Sequence, residues 1–371
     1  MTLSRHSRIG AAAFVGAVAL ALTACGSSGG TGASTTGASK APSLSGELNG
    51  AGASSQESAM AAWRAGFQSL NGGATVNYDP VGSGGGRTQF LAGGVAFAGT
   101  DAALSADELT KAKTVCGADP VEFPVYISPI VVIFNLPGIT KLQMAPATIA
   151  GIFDDKITKW NDPAISTLNS GVTLPNEDIV VVHRSDGSGT TNIFTNYLDK
   201  VSTDWHSTVG TANSVQWPAG VGESGSAAVA GQVQQQPGSI GYVSFAYAAK
   251  NSIAYAKLKN STGNAIEPSI ASARAAQAGL TLPDNMQIVI TNSPNADAYP
   301  ISGFTWALVY TTQTDKAKAE TIGHLLHWML TDAQQYAEAD GFVPLSDAAT
   351  AKALAELATV TYQGTPVLNV N

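Results

Sequence analysis

Residues 183–190 of the chain, HRSDGSGT, bring an arginine, a carboxylate, several hydroxyl groups and two glycines together. They follow the apolar run Ile179–Val182 and lead into a segment of helical character. The guanidinium of Arg184 offers a fork of donors that suits an oxyanion, and Asp186 would hold that fork in place. Hydroxyl and N–H groups at the start of the following helix would add further donors. The octet therefore predicts a site for a small anion.

Two other interpretations of the octet stay open at this point. Asp186 and Ser188 would also serve as ordinary helix caps. Ser188 would be a nucleophile in an esterase elbow, but that motif requires Gly-x-Ser-x-Gly, and Asp186 and Thr190 stand at its glycine positions. A nucleophilic serine also needs a general base, and His183 would point away from the side of Arg184 on an extended strand. A hydrolase is therefore the weaker alternative.

Three further polar segments stand at the ends of predicted strands: GAGASSQ (50–56), VGSGGGR (81–87) and AGTD (98–101). Glycines let backbone N–H groups approach a ligand, and a helix N-terminus offers unpaired donors and a partial positive charge. The second segment fails the dinucleotide pattern because Arg87 replaces its third glycine, and neither glycine-rich segment ends as a P-loop does. Capping alone explains neither these segments nor Arg184, so the sequence favours anion binding.

One constellation suggests a metal instead. Glu320, His324 and His327 are spaced to lie on one face of a helix. The residues between and after them are large and apolar, which is typical of a helix that packs in a core. We therefore predict no metal site and no cofactor.

The elements that position these residues alternate between short β-like runs and helix-like stretches, a pattern typical of an α/β fold with largely parallel sheets. The predicted strands are Thr75–Tyr78, Phe123–Phe134, Ile179–Val182, Met286–Thr291 and Trp306–Thr311. The predicted helices are Gln56–Leu70, Ser105–Thr114, Thr190–Lys200 and Lys316–Ala337.

Composition sets the limits of this architecture. The chain has 371 residues, of which 44% are apolar and 12% charged, so it has room for two domains with large cores. Its formal net charge of −8 argues against a nucleic-acid partner, which usually needs a basic surface. An anion would have to be attracted by local dipoles rather than by the overall charge.

The N-terminus is predicted to be a targeting segment. Two arginines precede the apolar run Ile9–Leu22, which at 14 residues is shorter than the roughly 20 needed to span a membrane. It ends in Leu22-Thr23-Ala24-Cys25, which resembles the lipobox of bacterial lipoproteins. We expect residues 1–24 to be a signal peptide and Cys25 to carry lipid; ordinary cleavage after Ala24 is the alternative. Cleavage removes two of 19 basic residues, which leaves 17 against 27 acidic ones and a net charge of −10.

Residues 25–45 are predicted to form a flexible tether, because they are rich in Gly, Ser, Thr and Ala and have no hydrophobic period. Cys25 and Cys116 are the two cysteines of the sequence. If Cys25 carries lipid, Cys116 cannot form an intramolecular disulfide. We expect it to be a small buried apolar residue.

The segments together resemble the phosphate-binding proteins, the substrate-binding lipoprotein component of the bacterial phosphate ABC transporter. The resemblance covers about 300 residues from Gly46 onward, in matching order and spacing. Its segments are GAGAS (50–54), VGSGGG (81–86), FAGTDAALS (97–105), VVHRSDGSGT (181–190), VGTANSVQWP (209–218), QQQPGSIGYVSFAYA (234–248), YPISGFTW (299–306) and GFVPLS (341–346).

The resemblance implies a two-lobed, hinged fold of the periplasmic-binding-protein type II, in which the chain crosses twice between lobes. Lobe I would comprise residues 46–126 and 300–371, and lobe II residues 127–299. Phosphate would bind in the cleft, with Asp186 as the partner of the site arginine. The implied phosphate contacts are Ser54, the N–H of Ser55, Ser83, Asp101, Arg184, Ser188, Gly189 and Thr190.

Two positions qualify this expectation. The family usually has Thr-Phe where this chain has Ser54-Ser55; a hydroxyl and an N–H remain, but we expect the missing ring to loosen the cleft wall. Asp101 would repel an anion unless the anion carries a proton for it to accept. Phosphate is protonated near neutral pH and sulfate is not, so this carboxylate would discriminate between them.

The resemblance also implies partners and a location. The protein would not be an enzyme: it would close on phosphate and deliver it to the membrane permease of the transporter, from a lipid anchor on the extracytoplasmic face of the cell membrane. A binder of another oxyanion, sulfate or molybdate, is the nearest alternative. The sequence does not exclude a second role in adhesion or signalling.

Overall fold

A computed structural model of the protein describes residues 44–368. The predicted signal peptide, the lipidated Cys25 and all of the predicted tether except its last two residues lie outside the described residues. The first strand already begins at Ser45. Among the described residues, no helix combines the length and apolarity that crossing a membrane requires.

The strands have clear local causes in the sequence. β-Branched and aromatic residues make up most of the longest strand, Val121–Asn135, and a glycine ends the first one, Ser45–Gly52. In chain order they are β1 Ser45–Gly52, β2 Gly73–Asp79, β3 Phe97–Thr100, β4 Val121–Asn135, β5 Gln143–Met144, β6 Val180–Arg184, β7 Val221–Glu223, β8 Ser239–Ser244, β9 Lys257–Lys259, β10 Ala265–Ile266, β11 Ser302–Val309, β12 Thr312–Gln313, β13 Thr361–Tyr362 and β14 Thr365–Pro366.

Most of the helices begin at a glycine, at a proline or after a serine cap. They are α1 Glu57–Leu70, α2 Gly82–Leu91, α3 Ala106–Cys116, α4 Pro146–Phe153, α5 Pro163–Ser166, α6 Gly189–Val201, α7 Thr203–Thr208, α8 Gly225–Gln235, α9 Phe245–Lys250, α10 Ile270–Ala275, α11 Lys316–Leu330, α12 Ala337–Asp340 and α13 Asp347–Leu357. Single 3₁₀ turns occupy Ser54–Gln56, Thr167–Asn169 and Asp332–Tyr336.

The main sheet has eight strands in the order β2-β1-β3-β11-β4-β8-β6-β7. β2, β1 and β3 are parallel to one another, as are β8, β6 and β7. β11 and β4 join these two parts through antiparallel pairs with β3, with each other and with β8. The expectation of a largely parallel sheet is therefore wrong at its centre, because β4 and β11 each cross between the two halves of the molecule.

Two large hydrophobic cores lie on either side of these crossings. Buried side chains from residues 44–127 and 273–368 form the first core, and those from residues 130–301 form the second. β4 leaves the first core between Ile127 and Ile130, and β11 re-enters it after Ile301. The fold is thus α/β and two-lobed. Buried side chains between residues 273 and 298 also contribute to the first core, although they lie within the range predicted for lobe II.

Most predicted elements are confirmed within a few residues, and two are wrong. Met286–Thr291 forms no strand. Met286 has a φ of +54°, which interrupts an extended backbone, and the segment lies against the first core without a ladder partner. The helix predicted over Lys316–Ala337 ends at Leu330, where Thr331 leaves the helical region with φ −118° and ψ −97°.

Candidate functional site

The candidate site forms where several strands end and helices begin. β1 leads through Ala53 into the 3₁₀ turn Ser54–Gln56, and β3 ends next to Asp101. β6 ends at Arg184, close to the first residue of α6. The starts of α2 and α8 face this same region, because they contact the loop after Arg184. Carboxyl ends of strands and N-termini of helices are where α/β proteins usually bind anions.

Arg184 is the central cation of the site and is almost fully buried. Its Nε donates to Oδ1 of Asp186 over 2.6 Å, and its Nη2 donates to Oδ2 of the same carboxylate. Its Nη1 donates to the hydroxyl of Ser54 over 3.1 Å. Burial would raise the pKa of Asp186, but the hydrogen bonds and charge of Arg184 outweigh it and lower the pKa overall. Asp186 is therefore held ionised, and the guanidinium is fixed in one orientation.

Asp101 is the second buried charge, with 2% of its surface exposed. Its Oδ2 accepts a hydrogen bond from the hydroxyl of Ser55 at 2.6 Å and a longer one from Thr190 at 3.5 Å. Its Oδ1 is buried without a hydrogen-bond partner among the described residues. The hydroxyl of Thr305 also lies close to this carboxylate and helps to lower its pKa; it donates to the carbonyl of Thr100 over 3.2 Å. Asp101 therefore keeps one oxygen available for a donor.

Burial is also the main influence on the protonation of Asp101. It raises the pKa of this carboxyl, and the hydrogen bond from Ser55 and the charge of Arg184 offset it only in part. Ser55 itself is buried and bonded to the carboxylate. The looser cleft wall expected from the Ser54-Ser55 pair stays a prediction.

The hydroxyls of Ser188 and Thr190 are buried at the start of α6. Ser188 is the N-cap of this helix, and its Oγ accepts from the N–H of Thr191 over 3.1 Å. His183 is stacked on Trp217, with ring centroids 4.8 Å apart, and its Nδ1 lies 3.1 Å from the carbonyl of Arg184. No hydrogen bond between Ser188 and a base is found within the described ranges. Ser188 therefore caps the helix and lacks an activating partner.

Gly189 of the second lobe lies against Ser83 and Asp101 of the first. The hydroxyl of Ser83 accepts from the N–H of Asp101 over 3.1 Å. A Cβ on Gly189 would lie 2.6 Å from the Cβ of Asp101, closer than real Cβ atoms approach one another. Only glycine at this position lets the start of α6 lie against the Asp101 loop.

The glycines of α2 contact the octet directly. The N–H of Gly84 donates to the carbonyl of Gly187 over 2.8 Å. A Cβ on Gly84 would lie 3.0 Å from the Cα and the carbonyl oxygen of Gly187. Gly82 has a φ of +85°, which favours glycine on conformational grounds as well. Since α2 belongs to the first lobe and the octet to the second, the structure represents a closed cleft.

Sequence reasoning missed two groups of site residues. Ser226, in the first turn of α8, is 1% exposed and has its hydroxyl 2.9 Å from that of Ser54. The segment GESGS (222–226) resembles the other Gly/Ser helix starts, which was the available signal. It overlaps the short and mostly exposed strand β7, and nothing in its pattern predicts a strand.

The second group centres on Arg87 in α2. It forms a 3.2 Å ion pair with Glu108 and donates to the carbonyls of Ala102 and Ala103, each over 3.3 Å. With the amide of Asn213 oriented so that its oxygen faces Arg87, both terminal nitrogens donate to that oxygen. Arg87 thus connects α2 to the Asp101 loop and to the second lobe. A lone arginine after a glycine run carries no signal for this role.

A metal centre is not apparent in residues 44–368, where no three His, Cys, Asp or Glu side chains are grouped to hold an ion. Glu320 lies 3.8 Å from Lys316 in an exposed pair. Burial lowers the pKa of His324, as does the neighbouring His327.

The fold and the site define a two-lobed protein with a buried, polar and charged cleft between its lobes, and comparisons with known proteins agree. The PBP superfamily domain matches residues 31–333. Phosphate-binding protein PstS of Xylella fastidiosa (strain Temecula1) is 40% identical over 316 residues, which cover 84% of this chain and 85% of that protein. Phosphate-binding protein PstS3 of Mycobacterium bovis (strain BCG) is 33% identical over 355 residues, which cover 92% and 95%.

Solved structures show the same fold. A high-affinity periplasmic phosphate-binding protein (PfluDING), bound with phosphate, superposes with a TM-score of 0.71 at 22% identity and covers 87% of this chain and 98% of its own. A human phosphate binding apolipoprotein gives a TM-score of 0.69 at 22% identity, over 83% and 93%. The chain belongs to the PBP superfamily and, within it, to the family of PstS phosphate-binding proteins, which are substrate-binding proteins.

Proposed function

We propose that the protein binds inorganic phosphate in the cleft between its lobes and delivers it to the permease of a phosphate ABC transporter. The observation that carries this proposal is the pairing of a fixed cation with a free acceptor. Arg184 is oriented by Asp186, and Asp101 buries an oxygen that has no partner among the described residues. The names of the PstS relatives support the same ligand.

The proposed ligand matches this arrangement in charge and in protonation. The phosphate oxygens would accept from Arg184 and from hydroxyl and N–H donors at the helix starts. Hydrogenphosphate would donate its proton to the free oxygen of Asp101. Sulfate carries no proton at neutral pH and would leave this oxygen without a hydrogen bond. The proposed contacts are Ser54, Ser55, Ser83, Asp101, Arg184, Ser188, Gly189 and Thr190, with Asp186 in support.

The proposed mechanism is binding and closure without a chemical step. Ser188 caps α6 and has no base bonded to it in the described part of the chain, so we infer no hydrolase activity. The lobes would turn about the two crossing strands near residues 126/127 and 299/300, which we propose as the lobe boundaries. The closed form would then dock on the permease, which opens it.

We also propose a lipid anchor at the extracytoplasmic face of the membrane. The support is the sequence around Cys25, with an apolar run before it and a Gly/Ser/Thr-rich segment after it. A flexible segment of about 20 residues spans on the order of 25 Å, enough to hold a globular domain close to the membrane. Fractionation of cells that carry a Cys25→Ser chain is the measurement for this anchor.

Titration of the Arg184→Met variant with phosphate tests the binding site. Methionine keeps much of the side-chain volume but removes every donor and leaves Asp186 unpaired. We expect phosphate affinity to fall at least about 100-fold, the upper range for one charged hydrogen-bonding group. Arg274→Met, at an exposed site in α10, removes the same charge and is the control. Wild-type affinity in Arg184→Met would contradict the proposed site.

A further inference from the structure

We infer that Ser226 is an additional phosphate-binding residue and that, with Ser54, it holds the closed cleft together. Ser226 is the second residue of α8 and is 1% exposed. Ser54 lies in the first lobe and Ser226 in the second, and their hydroxyl oxygens are 2.9 Å apart. The ligand contact rests on the proposed function, whereas the contact between lobes does not.

The number of hydrogen bonds that each hydroxyl can make determines the directions of the Ser54 and Ser226 hydroxyl protons. A hydroxyl has one donor and two acceptor positions. The oxygen of Ser54 accepts from Nη1 of Arg184 at 3.1 Å and from the N–H of Ser226 at 3.3 Å. Both of its acceptor positions are therefore used, and its proton has to be donated. In the structure the nearest acceptor is the oxygen of Ser226, and a bound phosphate oxygen would be a second acceptor for the same proton.

The same accounting makes Ser226 a donor toward the ligand. Its oxygen receives the proton of Ser54 and a long contact of 3.5 Å from Nη1 of Arg184. Its own proton is then directed away from both groups. Among groups that the site would hold, an anion oxygen next to Arg184 is the natural acceptor. Its position in the first turn of α8 adds the partial positive charge of a helix N-terminus.

The pair also couples ligand binding to closure. Ser54 and Arg184 belong to opposite lobes, and the pair connects them only while the cleft is closed. Opening would separate Ser54 from Ser226 and from Nη1 of Arg184, and would break the hydrogen bonds that these buried groups make with one another. Loss of Ser226 should therefore accelerate phosphate release much more than it slows capture.

The test compares Ser226→Ala with Ser226→Thr and with Ser224→Ala in the full chain. Ser224 is the exposed N-cap position of the same helix, without a side-chain capping bond, so it is a matched control. Stopped-flow tryptophan fluorescence with inorganic phosphate gives association and dissociation rates. We expect Ser226→Ala to dissociate at least about tenfold faster with association changed less than about twofold, and Ser226→Thr to retain most of the wild-type behaviour.

Coupling and closure are measured separately. Ser54→Ala and the double variant should show non-additive losses, because the two hydroxyls act as one unit. Small-angle scattering of phosphate-free protein should show a larger mean radius for Ser226→Ala than for wild type. If wild type binds phosphate and Ser226→Ala matches Ser224→Ala in both rates, the inference is overturned. If wild type does not bind phosphate, the proposed function fails. Independently of that result, equal scattering radii for Ser226→Ala and wild type would overturn the contact between lobes.

Discussion

Asp101 combines two properties that oppose each other, since its buried carboxylate reduces stability and supplies selectivity. Its Oδ1 has no partner in the described part of the chain, and burial raises its pKa. A buried acceptor without a donor costs about 1–3 kcal/mol, and more when it is charged. Such a cost is common in binding sites, because their polar groups are arranged to satisfy a ligand rather than one another. Asp101 therefore gives a prediction that needs no ligand.

Asp101→Asn should stabilise the phosphate-free protein at neutral pH. The folded pKa of Asp101 lies above its ordinary value of 3.8, so its contribution to the free energy of unfolding is complete below that pH and is lost as the pH rises through the folded pKa. Asparagine does not ionise and can still accept from Ser55. We expect a gain of at least about 1 kcal/mol at pH 7 that shrinks toward pH 4.

Denaturant unfolding in a phosphate-free buffer at both pH values measures this difference. Asp297→Asn, at an exposed position, is the control for removal of a negative charge. An equal gain in the free energy of unfolding at both pH values, or a loss at pH 7, would show that the ionised Asp101 does not destabilise the folded protein.

At the scale of elements, the site depends on how closely helix starts approach one another. The start of α2 donates from Gly84 to Gly187 in the loop before α6, and Gly225 at the start of α8 donates to Asp186 over 3.1 Å. A side chain at Gly84 or at Gly187 would hold α2 away from the loop before α6. Closure therefore requires glycine in α2 for reasons of space rather than of helix stability.

Gly84→Ala separates these two requirements. Alanine is the better helix former, so the phosphate-free protein should be as stable as wild type or more stable. Its Cβ would lie 3.0 Å from backbone atoms of Gly187, so closure should be impaired and phosphate affinity lowered about tenfold or more. Gly231→Ala, inside α8 with open space around it, should leave affinity unchanged. Calorimetric titration and thermal unfolding check both expectations, and wild-type affinity in Gly84→Ala would contradict this role.

The composition of the segments at the helix starts also explains which parts of the site could be predicted from the sequence. The segments around Ser83, Asp101 and Arg184 have distinctive compositions that follow recognisable strands, and the structure brings them to one place. Arg87 could not be predicted, because its role depends on a contact across the cleft with Asn213. The composition around Ser226 indicated a helix start, but not its contact across the cleft with Ser54. Those contacts join residues far apart in sequence.

The errors in the fold have a similar origin. The apolar pattern of Met286–Thr291 is that of a strand, but the segment buries its side chains without a partner strand. The central antiparallel pairs could not be read from alternation of helices and strands, because β4 and β11 connect lobes whose separate sheets are parallel.

At the scale of the whole molecule, the account has to explain how an acidic chain binds an anion. Its net charge of −8 opposes phosphate. The attraction must come from Arg184 and the helix starts, which act over short distances in a site shielded from water. Two carboxylates, the buried Asp101 and the half-buried Asp186, lie near Arg184. The balance of charge suits an anion that brings a proton.

The most direct test is calorimetric titration of the ligand-free full chain with phosphate and, separately, with sulfate at neutral pH. The account predicts tight one-to-one binding of phosphate and affinity for sulfate lower by about 10⁴-fold or more. Asp101→Asn should reduce that ratio by at least about tenfold, because an amide can donate to sulfate. Equal affinity for both anions, or binding of neither, would contradict the central claim that Arg184 and Asp101 form a site for protonated phosphate.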